Sequence, residues 1–169
     1  MIVESGVLVR LDENPYYERA SRIAYVFDVG WMKNISPRDA VGFTGYALVS
    51  DPTQRLGLRA RYRRWLSSGT SIDVSPGILL SGEGDGGEYS LPGFALGATV
   101  NAGDLIGLTA DVEWSRTQDL VHDTLPLEWR SRSDVAWRVG GKLGSSLGLV
   151  GGALFVGLII VVIASGATD

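Results

Sequence analysis

PGFALGATVNAGDLIGLTADVEW, residues 92–114, decides how this chain is built. Phe94, Leu96, Ala98 and Val100 share one side of an extended segment, and Ile106, Leu108, Ala110, Val112 and Trp114 share one side of the next. A period of two marks β-strands, whose successive side chains point to opposite faces. Asn101-Ala102-Gly103-Asp104 between them reads as a hairpin turn.

The same grammar extends outward from this hairpin. Val3–Leu11, Arg22–Met32, Val41–Ser50, Arg55–Leu66 and Ser71–Leu80 are further strand candidates. Asp51-Pro52-Thr53-Gln54 separates two of them, and proline presets φ for a tight turn, so 41–50 and 55–66 are expected to pair. Helical periodicity is poor here, and Gly or Pro interrupts it repeatedly. The expectation is a mainly β domain over residues 1–116, an antiparallel β-sandwich or small β-barrel-like domain of about seven strands.

The C-terminal stretch has a different character. Leu147–Ala164 (LGLVGGALFVGLIIVVIA) carries no charged side chain. As a helix its eighteen residues would span about 27 Å, close to the roughly 30 Å hydrocarbon thickness of a bilayer. A transmembrane α-helix is therefore expected over 135–166, capped by Ser133-Asp134, with a membrane-surface linker over 117–134 and a short tail over 167–169. Gly144, Gly148 and Gly152 recur every fourth residue, with Ala153 and Gly157 alongside, a helix-packing pattern for a partner helix. Trp129, Trp137, Arg138 and Lys142 are the expected membrane-interface anchors.

Arg130, Arg132, Arg138 and Lys142 precede the apolar stretch and only Asp169 follows it. The positive-inside rule then predicts a bacterial tail-anchored protein of the inner (cytoplasmic) membrane, single-pass, with the β-domain on the cytoplasmic side and the C-terminus across the membrane. Residues 1–15 lack the basic cluster, apolar run and cleavage site of a secretory signal. In general texture the glycine-rich strands also resemble pieces of outer-membrane barrels. The C-terminal stretch competes with that reading, because such a helix would be retained in the inner membrane and an exported barrel would need a signal sequence.

Composition narrows the chemistry. The chain has no cysteine, one histidine (His122) and a net charge of −4. Thiolate and multi-histidine metal sites are excluded, and nothing draws the protein to nucleic acid. On the 55–66 segment, Leu56, Leu58, Ala60 and Tyr62 face one way, and Arg55, Arg59, Arg61, Arg63 and Trp65 the other. These arginines are candidates for contact with a partner subunit or lipid headgroups, or for pairing with Asp73, Asp111 and Glu113 on a salt-bridged outer sheet face.

Residues 81–90 (SGEGDGGEYS) match G-x-G-x-x-G through Gly82, Gly84 and Gly87, but their acids would repel a pyrophosphate and no helix follows. GSSLG around Ser146 matches a nucleophile elbow, which needs a strand before it and a helix after it, but here it opens the expected membrane span; Asp119 and His122 lack a nucleophile. No catalytic site, cofactor or metal is expected.

The resulting expectation is a non-catalytic accessory subunit of a larger integral-membrane complex, an energy-transducing one (respiratory or photosynthetic) being one setting. Its β-domain would brace or cap the complex, and its partners would be integral-membrane protein subunits and the lipid bilayer. Two alternatives predict different interiors. A membrane-tethered β-barrel binding a lipid or other apolar ligand needs inward space rimmed by aromatics such as Phe43, Tyr46 and Trp65. A membrane-bound enzyme needs a convergent cluster of perturbed carboxylates.

Overall fold

The computed structural model describes residues 1–12, 22–50, 54–80, 82–83, 89–121 and 128–144, with positions 148 and 150. The strands are β1 (Ile2–Arg10), β2 (Ile23–Asn34), β3 (Asp39–Val49), β4 (Gln54–Ser67), β5 (Thr70–Leu79), β6 (Gly82–Glu83), β7 (Tyr89–Ala102), β8 (Ile106–Val121) and β9 (Glu128–Gly144). Chain neighbours pair antiparallel, β5 pairs with β7 across the two-residue β6, and β9 pairs with β1. Eight strands thus close into an up-and-down antiparallel barrel. A closed barrel leaves no long edge with unpaired backbone groups.

Both expected hairpins form. Val49 opposes Gln54 on either side of Asp51-Pro52-Thr53, which lie outside the described residues, and Ala102 opposes Ile106 across the second turn. At that second turn Gly103 has φ 63°, the left-handed region glycine tolerates, and its N–H donates to Gly69 O at 2.7 Å. The short turns 35–38, 68–69 and 103–105 lie at one end of the barrel with the start of β1 and the close of β9. The strand ends Arg10, Ile23, Val49, Gln54, Leu79, Tyr89, Val121 and Glu128 lie at the other.

Two expectations are corrected by β9. Val135–Gly144 is strand, so the helix expected over 135–166 does not begin at Val135, and Gly144 ends a strand. Much of the expected 117–134 linker is also strand, since β8 runs to Val121 and β9 starts at Glu128. The physical reason is a period of two: Val135, Trp137, Val139 and Leu143 alternate with Asp134, Ala136, Arg138 and Lys142. A helix would turn Trp137 to the side away from Val135, Val139 and Leu143; a strand puts all four apolar side chains on one face and the charges on the other. Among the described residues no helix is long and apolar enough to cross a membrane. Residues 151–169 lie outside the described residues.

Strand register sets the geometry of the barrel. Partners run from Ile2 through Gly30, Thr44, Arg59, Gly77, Ala95, Glu113 and Ala136, and extending the β9–β1 register by two positions returns to Asp12, ten residues above the start. A stagger of that size over eight strands tilts them by about 40°, with an interior just wide enough to be filled by side chains.

Candidate functional site: a charged lumen inside an apolar wall

Alternation runs in the opposite sense to that of a water-soluble barrel. Inward positions carry Glu4, Asp28, Arg59, Arg61, Arg63, Asp73, Asp111, Glu113, Arg138 and Lys142, all buried. Outward positions carry Val7, Val29, Leu58, Val74, Leu96, Leu108 and Val139, all well exposed. The apolar part of the lumen is a small cluster of Leu8, Ala24, Val26, Tyr46, Leu48, Leu79 and Ala95 toward the loop end.

The lumen charges reach across the barrel to one another. Asp73 accepts from Arg61 Nη2 at 2.7 Å and from Arg63 Nε and Nη2 at 2.7 and 2.8 Å. Glu4 takes the other side of Arg61, accepting from Nη2 at 3.0 Å and lying 2.8 Å from Nη1 as an ion pair. Lys142 donates to Asp28 at 2.7 Å, and Thr44 Oγ1 donates to the other oxygen of that carboxylate at 3.3 Å. Higher in the lumen, Arg59 donates to Asp111 at 2.8 Å and lies 3.6 Å over the Tyr46 ring. Tyr46 OH and Arg138 both donate to Glu113. Burial of so many charges is tolerable only because each meets an opposite charge, since desolvating an unpaired ion costs several kcal/mol.

At the loop end, Arg10 donates to Asp12 and to Asp134 on β9, and the Trp137 N–H donates to Asp12 at 2.8 Å. Burial pushes the Asp12 carboxyl up, but the Arg10 and Trp137 hydrogen bonds outweigh it and hold the group below the ordinary carboxylate range. This clasp on the β1–β9 seam therefore stands at neutral pH and is lost as pH falls through that lowered range.

Glycine makes room for the long side chains. A Cβ on Gly97 would stand 2.8 Å from Ser75 Oγ, 3.2 Å from Asp111 Oδ2 and 3.3 Å from Arg59 Nη1. Gly97→Val should therefore displace the Arg59–Asp111 pair and cost about 1–3 kcal/mol in urea unfolding. Outward Gly45, where a Cβ meets nothing nearer than 3.7 Å, should accept alanine without loss. Equal stability of the two variants would show that the lumen is not tightly packed at Gly97.

The outer wall has its own order. Because the stagger raises each successive strand by about a residue and a quarter, Trp31, Phe43 and Tyr62 share a level near the turn end. Tyr25, Phe94, Trp114 and Trp137 share a level near the loop end. The two aromatic belts stand on the order of 15–20 Å apart along the axis, with aliphatic and small residues and half-buried Phe27 between them. Within the belts Trp31 opposes Phe43 with ring centroids 6.0 Å apart, and Phe94 stacks on Trp114 at 5.9 Å. Lys33, Arg38 and Arg64 lie beyond the turn-end belt.

Several expected roles change with this geometry. Arg59, Arg61 and Arg63 do pair with Asp73 and Asp111, but they face the lumen and not an outer sheet face or a partner. Arg55 is half-buried and donates to Ser115 Oγ at 3.3 Å, and half-buried Trp65 lies at the turn-end mouth with Arg63 6.0 Å over its ring. Arg138 and Lys142 are likewise lumen residues, not interface anchors, because their parity on β9 points them inward. Trp137 faces out. The Trp129 side chain, Gly152, Ala153 and Gly157 lie outside the described residues. Gly148 is buried against β1.

A roomy inward face rimmed by aromatics is not what the barrel presents, since Phe43 points outward and Tyr46 is packed under Arg59. A cavity of about 180 Å³ opens at the turn-end mouth between Glu4, Arg63, Asp104 and Lys142. Among the described residues no group of acidic, histidine or cysteine side chains is arranged to hold a metal ion. Sequence reasoning does not bring Glu4, Asp28 and Lys142 into one cluster. Their signal was parity, since each is the polar partner of an apolar neighbour one position away. No family model, curated protein or solved structure matches this chain.

Proposed function

We propose that this chain is an integral membrane protein that crosses the bilayer with its eight strands, a non-catalytic barrel that serves as a membrane-embedded scaffold. The observation that carries the reading is the inverted alternation: every strand puts polar or charged side chains inward, six of the eight with charges, and apolar ones outward. An apolar outer wall flanked by aromatic girdles around a polar interior is the design of transmembrane β-barrels. Strands of 9–17 residues are long enough to span at the observed tilt. Connections of two to four residues at the end that holds the start of β1, against four to twelve opposite, follow the same pattern and favour a membrane of the bacterial outer-membrane type.

A scaffold role is favoured by the lumen, where carboxylates are tied to arginine or lysine and stand ill placed for acid–base work. A lumen lined by guanidinium groups also gives an apolar ligand little to bind. Lipid is the first partner in this reading, and other membrane proteins are the second.

Refolding the chain into phosphatidylcholine vesicles with brominated acyl chains tests the proposal. Tryptophan emission should be quenched by the bromines, most strongly by those nearest the headgroups, where Trp31, Trp114 and Trp137 would lie. A chain that stays monomeric in detergent-free buffer, with tryptophans quenched by iodide instead, would overturn it.

A further inference from the structure

Beyond the turn-end belt the outer wall becomes basic in one sector. On β2 Lys33 follows Trp31 at the next outward position, on β3 Val41 precedes Phe43, and on β4 Arg64 follows Tyr62. Lys33, Val41 and Arg64 therefore share a level one step outside the belt. Arg38, in the turn between β2 and β3, joins them, because its carbonyl accepts from the Trp65 N–H at 2.8 Å and so sets it beside Arg64. All three basic residues are exposed.

Asp39 is the acid among them, and its oxygens are already engaged. It accepts from Tyr62 OH at 2.6 Å and from Ser36 Oγ at 2.7 Å, and lies 3.6 Å from Arg64. The Tyr62 and Ser36 hydroxyls hold its carboxyl below the ordinary carboxylate range, so it stays ionised at neutral pH. Three cations against one carboxylate leave the sector a net charge of +2. The turn ends of β5, β7, β8 and β9 carry instead uncharged outward residues such as Ile72, Val100, Ile106 and Leu143.

We propose that Lys33, Arg38 and Arg64 form a binding site for the phosphodiester of an anionic glycerophospholipid, whose acyl chains lie on the adjoining wall. The inference rests on the membrane-barrel reading. Lys33 and Arg64 stand on strands two apart, on the order of 12 Å between Cα atoms, a gap that their side chains close around one phosphate. Their stems lie along apolar surface while the charged ends reach past the belt, to the depth where lipid headgroups begin. Toward the middle of the wall, β3 turns Gly45 outward between its partners Val29 and Leu58. Those two exposed side chains wall a shallow trough for an acyl chain beside Phe43. Arg38 also lines an open cleft of about 380 Å³ with Asn34, Ser67 and Ser68, which offers hydrogen bonds to a glycerol headgroup. An acidic protein from the aqueous side would approach beyond the rim, whereas Lys33 and Arg64 point sideways, into the leaflet.

Dioleoyl phosphatidylglycerol is the probe. The full chain is refolded in mixed vesicles of this lipid and phosphatidylcholine, then extracted in mild detergent. Mass spectrometry of the intact lipid–protein complex should find phosphatidylglycerol enriched on the order of tenfold over its share of the vesicles. Lys33→Gln with Arg38→Gln and Arg64→Gln should return the retained lipid to the vesicle ratio, and Lys33→Glu alone should lower the enrichment several-fold. Arg116→Gln, which removes the exposed cation over Trp114 near the loop end, should leave it unchanged.

No enrichment in the parent chain, or enrichment that survives the triple substitution, would overturn the proposal. So would an equal loss from Arg116→Gln and from Lys33→Glu, because overall charge and not this site would then select the lipid. Tryptophan quenching by lipid bromines in the same vesicles shows that each variant is inserted and reports the barrel reading separately. Quenching without enrichment sinks the lipid site alone; absence of quenching sinks the barrel reading.

Discussion

Asp73→Ala should lower the unfolding free energy by about 3–5 kcal/mol, measured by urea titration of the refolded chain in vesicles with tryptophan emission as the signal. Asp73 is fully buried and accepts three hydrogen bonds from Arg61 and Arg63. Its removal leaves two guanidiniums in a closed lumen with Glu4 as their nearest common counter-charge, 2.8 and 3.6 Å away. Arg63 retains Asp104 at the mouth, but that carboxylate is largely exposed and so a weaker partner. Thr109→Val sets the scale, because it removes only a neutral hydroxyl bonded to Thr99 at 3.0 Å and should cost about 1 kcal/mol. A loss at Asp73 no larger than that at Thr109 would mean that water reaches the lumen charges freely.

Leu58→Arg should be the second large effect, at about 2–4 kcal/mol in the same assay. Leu58 faces outward, 53% exposed, at a level between the two aromatic belts. In a bilayer that level is hydrocarbon, and an arginine there must thin the membrane or draw water to its headgroup. Ile35→Arg places the same charge in the turn between β2 and β3, beyond the belt, and should cost about 0–1 kcal/mol. Were the wall bathed in water, both substitutions would fall within about 0.5 kcal/mol of the parent. The depth dependence therefore separates a lipid-facing wall from an exposed one.

Much of the strand order was legible in the sequence. Candidates such as Val41–Ser50 and Arg55–Leu66 match β3 and β4 to within a residue or two at each end, because apolar alternation bounded by Gly, Pro and Asp reports strands directly. What alternation does not report is which face is the inside. Leu56, Leu58 and Ala60 would serve a soluble core as well as a lipid-facing wall. The deciding information lay in the opposite face, where Arg59, Arg61 and Arg63 have counter-charges on β1, β5 and β8, enough to neutralise one another in a closed space. Asp73, Asp111 and Glu113 were visible as partners; that they met their arginines inside a barrel required the ring to close.

Strand β9 was hidden for a different reason. Its basic residues stand immediately before a long apolar run, and that adjacency imitates the flank of a membrane helix. The alternation of Val135, Trp137 and Val139 with Arg138 and Lys142 carried the contrary message in a shorter stretch.

The seam between β1 and β9 joins residues that are furthest apart in the chain, and the salt bridges of Lys142 to Glu4 and Asp28 span it. A single hairpin such as β3–β4 entering a bilayer alone would lay Arg59, Arg61 and Arg63 on hydrocarbon with no acid in reach. On the proposed membrane reading the order of assembly is thereby constrained: the wheel of strands must be nearly complete before it goes in. A charged hub makes such a protein all-or-nothing at the membrane, and half-built intermediates belong in water or in the care of an insertion machine.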